Sequence, residues 1–107
     1  MQYHVGNHGY VVKSKTDPAA ASALSVSGRS VFYGVFVKTD GTNDVTVTFY
    51  DNTVASGTDY IIPDSIVIDG GVGAVTIYDD AGLAVTNGIY TEITCAGTCS
   101  YQVYYDN

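Results

Sequence analysis

The stretch that decides the fold is Val31-Phe32-Tyr33-Gly34-Val35-Phe36-Val37 and, after a polar link, Val45-Thr46-Val47-Thr48-Phe49-Tyr50. The second run alternates strictly, which sends Val45, Val47 and Phe49 to a core and the threonines to the opposite face. The first run is almost continuously apolar and rich in β-branched and aromatic residues. Such a strand needs cover on both faces, inside a sandwich or on one side from a partner chain. Between them, Thr39-Asp40-Gly41-Thr42-Asn43-Asp44 supplies Asp-Gly and Asn-Asp, residues that accept the positive φ of a turn. The two runs are therefore expected to form a β-hairpin with a long tip.

The same grammar continues on both sides. Leu24 and Val26 alternate with Ser25 and Ser27, the expected first strand of the body. Downstream, short strands are expected near Tyr60-Ile61-Ile62 and Ile66-Val67-Ile68, parted by Pro63-Asp64, because proline cannot donate to a ladder. Asp69-Gly70-Gly71 turns the chain into a strand from Val72 to Tyr78, and Asp79-Asp80-Ala81-Gly82 turns it again. Ile89 to Thr94 points Ile89, Thr91 and Ile93 one way, and Ser100 to Tyr105 sets Tyr101, Val103 and Tyr105 against Gln102 and Tyr104. The outcome is an all-β chain: a single antiparallel β-sandwich, Ig-like or jelly-roll, of about eight strands. Residues 1–22 read as an N-terminal arm or linker, with one helical turn expected from Asp17-Pro18-Ala19 onward, and residues 23–107 as the sandwich.

Composition narrows the partners. In 107 residues, four basic against eleven acidic side chains give a formal charge of −7. Nucleic acid is an unsuitable partner for that balance, since phosphate neutralisation needs a basic surface. No run approaches the roughly 20 apolar residues of a membrane span. Met1 to Gly9 lacks the basic start and apolar stretch of a signal peptide, and the expected route is synthesis in a cytoplasm without export. With 12 glycines, ten tyrosines and a single glutamate, Glu92, the chain is poor in the charged residues that favour helix.

Few residues point to chemistry. His4 and His8 lie four apart, but Gly6 and Gly9 oppose the helix that would align them, so solvated histidines are expected and no metal. Asp40-Gly41-Thr42-Asn43-Asp44 lacks the spacing and closing glutamate of a calcium loop. Glu92 with an aspartate could be cast as a glycosidase pair, but that couple needs a deep cleft which so small a sandwich seldom has. There is no Gly-x-Ser-x-Gly and no phosphate-cradling glycine-rich strand–helix junction. The expectation is a protein that is not an enzyme and has no cofactor. Cys95-Ala96-Gly97-Thr98-Cys99 forms a short loop between the last two strands, read as a hairpin. A disulfide, two free thiols and half of a metal site are the open alternatives there.

Tyrosine is what remains to be explained. Tyr101, Tyr104 and Tyr105 put rings on both faces of the last strand, and Tyr50, Tyr78 and Tyr90 lie opposite the main apolar stripe. Outward tyrosines anchor protein interfaces or stack sugars; otherwise they flank a core with their hydroxyls in water.

Ser27 to Val37, with Tyr33-Gly34-Val35, then Asp40 to Thr53, Ala55-Ser56-Gly57-Thr58, Asn87-Gly88-Ile89-Tyr90 and the Tyr101–Tyr105 end together resemble a family of small tailed-phage virion proteins. The resemblance spans about Ser27 to Tyr105. It implies a β-sandwich that decorates or cements a capsid, often as a trimer, on the virion surface. Its partners would be the major capsid protein and further copies of itself. Pro63-Asp64, the Cys95/Cys99 loop and the histidine-containing arm depart from the pattern, and no functional residue carries over. The expected partner contacts are Tyr3, Val5, Tyr10, Val11 and Val12 in the arm, with Phe32, Phe36 and Tyr104 in the body. The alternative is a carbohydrate- or receptor-binding module of a tail or connector.

Overall fold

The strands are β1 (Lys13–Asp17), β2 (Ala23–Ser27), β3 (Ser30–Lys38), β4 (Val45–Asp51), β5 (Ile66–Ile68), β6 (Ala74–Val85), β7 (Gly88–Cys95) and β8 (Ser100–Asp106). The structure is a computed structural model that describes the backbone of residues 13–17 and the whole of residues 22–63 and 65–107. Two four-stranded antiparallel sheets run in the orders β1-β8-β3-β6 and β2-β7-β4-β5. Successive strands change sheet at every link except β4 to β5. That alternation makes the expected antiparallel sandwich a jelly roll, the second of the two topologies considered.

The hairpin expected of β3 and β4 does not form. β3 pairs with β8 and β6, whereas β4 pairs with β7 and β5. The Thr39–Asp44 link crosses from sheet to sheet, a gap of about 10 Å that a chain of this length bridges easily. Alternation is a local property and reads the same in a hairpin as in an arch. What holds the arch is tertiary. The Thr39 hydroxyl donates to the Gly70 carbonyl at 2.7 Å, and the Gly70 N–H donates to Asp44 Oδ1 at 2.9 Å. Both ties run to the β5–β6 link, which crosses at the same end of the sandwich. The Cys95–Cys99 segment is likewise no hairpin loop, since β7 and β8 lie in different sheets.

One expected turn takes another form. Asp79-Asp80-Ala81-Gly82 is a bulge inside β6, which runs on to Val85. Phe32 pairs with Leu83 and Gly34 with Tyr78, so Tyr33 alone faces the four extra residues. The turn chemistry is present, with Asp79 Oδ1 accepting from the Ala81 N–H at 2.9 Å. The strand simply resumes on the same partner, which is what a bulge does. In β2 a register shift between Leu24 and Val26 turns Leu24 outward at 36% exposure and buries Ser25. The Ser25 hydroxyl meets Thr91 Oγ1 at 2.8 Å and the Tyr101 hydroxyl at 3.3 Å, so this buried polar group is satisfied. Of the strand expected at Tyr60–Ile62, only Tyr60 makes a bridge, to Tyr50.

The core lies between the sheets. Val45, Val47 and Phe49 reach it from β4, Ile89, Thr91 and Ile93 from β7, and Tyr101 and Val103 from β8, as their alternation requires. β1 pairs with β8 along its whole length, so the first sheet takes its edge strand from residues assigned by composition to an arm. Of the expected helical turn, Asp17 ends β1 and Pro18 to Ala21 lie outside the described residues. A single 3-10 turn, Gly70–Val72, is the helical element among the described residues.

Candidate functional site

The outer faces of both sheets carry tyrosine. On the first sheet, Tyr33, Tyr78 and Tyr104 come from β3, β6 and β8. Tyr33 and Tyr78 stack at 6.2 Å between centroids, and Tyr78 meets Tyr104 edge-on at 6.0 Å. Gly34 pairs with Tyr78 on one side and Tyr104 on the other. A Cβ at Gly34 would strike the Ile77 carbonyl oxygen, and its φ of 153° is foreign to residues with side chains. Glycine here is what lets β3 and β6 approach beneath the rings. Tyr33 is only 1% exposed although it points away from the core, because the β6 bulge lies over it. A Cβ at Gly82 would sit 2.9 Å from the Tyr33 ring.

The second sheet presents a row that crosses four segments. Leu24 pairs with Tyr90, Tyr90 with Tyr50, and Tyr50 bridges to Tyr60. The Tyr50 ring lies 5.2 Å from Tyr60 and 6.4 Å from Tyr90, inclined at 44° and 68°. In the next row, Glu92 sits opposite Thr48, whose hydroxyl meets that of Ser65 at 2.8 Å. The Tyr50 hydroxyl donates to Glu92 Oε1 at 2.9 Å. That bond to a carboxylate, with partial burial, holds the Tyr50 phenol above its usual pKa.

The end where the links cross is a third candidate and reads as scaffold. Asp40 accepts from the Thr42 N–H at 2.8 Å and from the Asn43 N–H and side-chain amide, each at 2.7 Å. Those bonds, Asn43 first, lower the Asp40 carboxyl to a pKa of about 2. A carboxylate committed to its own turn has little left for a calcium ion. Among the described residues no three His, Cys, Asp or Glu gather as a metal site. Cys95 and Cys99 form a disulfide, which settles the alternatives left open for them. A cleft of roughly 200 Å³ beside it is lined by Lys38, Thr39, Thr98, Cys99 and Ser100. Glu92 has a phenol as its partner and a threonine opposite, not a second carboxylate as a glycosidase pair would need.

Of the expected contact residues, Phe36 and Tyr104 share the outer face of the first sheet and are half-buried. Phe32 does not belong with them: it is 2% exposed in the core, because β3 has one extra residue, Tyr33, against β8, where Phe32 pairs with Tyr105 and Gly34 with Tyr104, and this reverses the strand's alternation. Tyr3, Val5, Tyr10, Val11 and Val12, with His4 and His8, lie outside the described residues. Tyr60 was expected only as part of a short strand; its place beside Tyr50, reached from a loop through a single bridge, was not foreseen. Glu92 was noticed only as an acid, and its place beside Tyr50 needed the β4–β7 register.

Fold and surface together define a small jelly roll with aromatic outer faces. Comparison of the chain with family models, with curated proteins and with solved structures gives no match.

Proposed function

We propose that the protein is a virion structural protein of a tailed phage, a decoration or cement protein that stabilises the head through protein–protein contacts. In this reading it attaches to the major capsid protein as a homotrimer, is carried on the virion surface, and works without catalysis or a cofactor. One observation carries it: both outer sheet faces, not only the interior, bear three-tyrosine clusters. A sheet face meant only for water is polar, whereas tyrosine is enriched where proteins meet. The resemblance over Ser27 to Tyr105 supplies the phage setting. That viral capsid domains use the jelly roll adds support by analogy of fold alone.

A second reading, a carbohydrate- or receptor-binding module of a tail or connector, draws on Tyr60 and Tyr78, 40% and 43% exposed. Rings this accessible can stack on sugars. Quantitative mass spectrometry of purified virions separates the two. Copy numbers comparable with the capsid subunit support decoration; copies matching a single tail or connector ring contradict it.

A further inference from the structure

The outer face of the second sheet is built of tyrosines, threonines, Leu24 and Val67, and among the described residues Glu92 is the one charged side chain in its midst. Asp51, at the end of β4, is turned away to the N–H groups of Thr86 and Asn87. Glu92 is half-buried, and Oε1 is engaged by the Tyr50 hydroxyl. No cation lies within ion-pair distance of it among the described residues. With one oxygen held by the Tyr50 hydroxyl and no cation beside it, this carboxylate is open to a cationic hydrogen-bond donor from outside.

The rings beside it say which kind of cation. Tyr50, 8% exposed, is the low middle of the row, with the more exposed Tyr60 inclined to it on one side and Tyr90 on the other. A planar guanidinium can lie against tyrosine faces and donate two parallel hydrogen bonds to a carboxylate, which an ammonium cannot do. The chain itself has only four basic residues and a charge of −7, so a second copy is a poor source. A basic surface on another protein is complementary in charge.

We infer that the Tyr50–Tyr60–Tyr90 row with Glu92 is a docking site for an arginine side chain presented by a basic protein surface. This rests on the docking reading above and names the chemistry of the partner. The site is then filled by a carboxylate–guanidinium pair laid on aromatic rings, closed off from water when the two surfaces meet.

The test has two arms. In the first, tyrosine ring signals are followed by NMR while N-acetyl-arginine amide, its neutral isostere N-acetyl-citrulline amide, or a panel of neutral oligosaccharides is added to the full chain. Arginine should move Tyr50, Tyr60 and Tyr90 and leave Tyr33, Tyr78 and Tyr104 in place. Glu92→Gln and Tyr60→Leu should each weaken this by about tenfold, the scale of one charged contact, with unchanged circular dichroism. Equal shifts with citrulline, shifts indifferent to Glu92→Gln, or a response to sugar and not to arginine overturn the inference. In the second arm, wild type and Glu92→Gln are bound to purified heads. Weaker attachment of the variant supports the inference. Equal attachment of both overturns it while the docking reading stands, and failure of the wild type to attach overturns both.

Discussion

Phe32 and Phe49 meet at 4.9 Å between ring centroids, one from each sheet. In a hairpin the two strands would lie side by side in one sheet; here their inner faces oppose each other and the rings close the space between. Replacing either ring leaves a void with a wall in both sheets. Phe49→Ala should lower the unfolding free energy by ~3–5 kcal/mol, read from the midpoint of urea unfolding. A loss within the range of a surface substitution would contradict the opposed arrangement.

Gly34→Ala should be destabilising beyond what an added methyl suggests. The new Cβ meets the β6 backbone at the Ile77 carbonyl, and the backbone sits at a φ of 153°. Strain of this kind costs about 1–3 kcal/mol before the clash is counted. Gly41→Ala is the control, with positive φ but open space around it. Thermal unfolding of both variants tests the difference: a drop at Gly34 no larger than at Gly41 would mean the sheet has room.

The Cys95–Cys99 bridge has a sequence separation of only 4. Chain-entropy reasoning assigns such a loop about 2 kcal/mol. The double alanine variant should therefore fold, with a modest fall in stability by denaturant titration. An unfolded double variant would mean that the bridge, not the two sheets, organises that end.

Asp40 links stability to acid. Its folded pKa, about 2, is depressed below the ordinary 3.8. A depressed carboxylate contributes stability above its unfolded pKa and loses it as pH falls through the folded value. The stability gap between wild type and Asp40→Asn should hold from neutral pH down to about pH 4 and close as pH nears 2. Because the turn is exposed, solvent screens the effect and the gap should be small. A gap that does not change with pH would mean the carboxylate's charge is irrelevant to the turn.

Much of the sandwich is legible in sequence because period-two alternation is local: Val45, Val47, Phe49, Ile89, Ile93 and Val103 all declare their faces. Pairing is not local. The turn residues at Thr39–Asp44 and Cys95–Cys99 mark reversals, but nothing in them distinguishes return within a sheet from passage to the other sheet. That choice rests on contacts such as Thr39 with Gly70, which join residues far apart in sequence. Bulges were hidden for the same reason: Asp79-Asp80-Ala81-Gly82 has turn chemistry, and only pairing with β3 reveals that the strand resumes. For the surface, outward Tyr50, Tyr78 and Tyr90 followed from alternation, whereas Tyr60 and the Tyr50–Glu92 bond depended on register and loop path.

The claim that the tyrosine faces are contact surfaces has one direct measurement. Hydroxyl-radical footprinting, which labels aromatic and aliphatic side chains alike and is quantified by mass spectrometry, compares the free protein with the same protein on assembled particles. Tyr60 and Tyr90, or Tyr78 and Tyr104, should lose most of their labelling on assembly, while Val54 and the exposed 53–59 loop keep theirs. Equal labelling of both tyrosine sets in the free and assembled states would contradict the account.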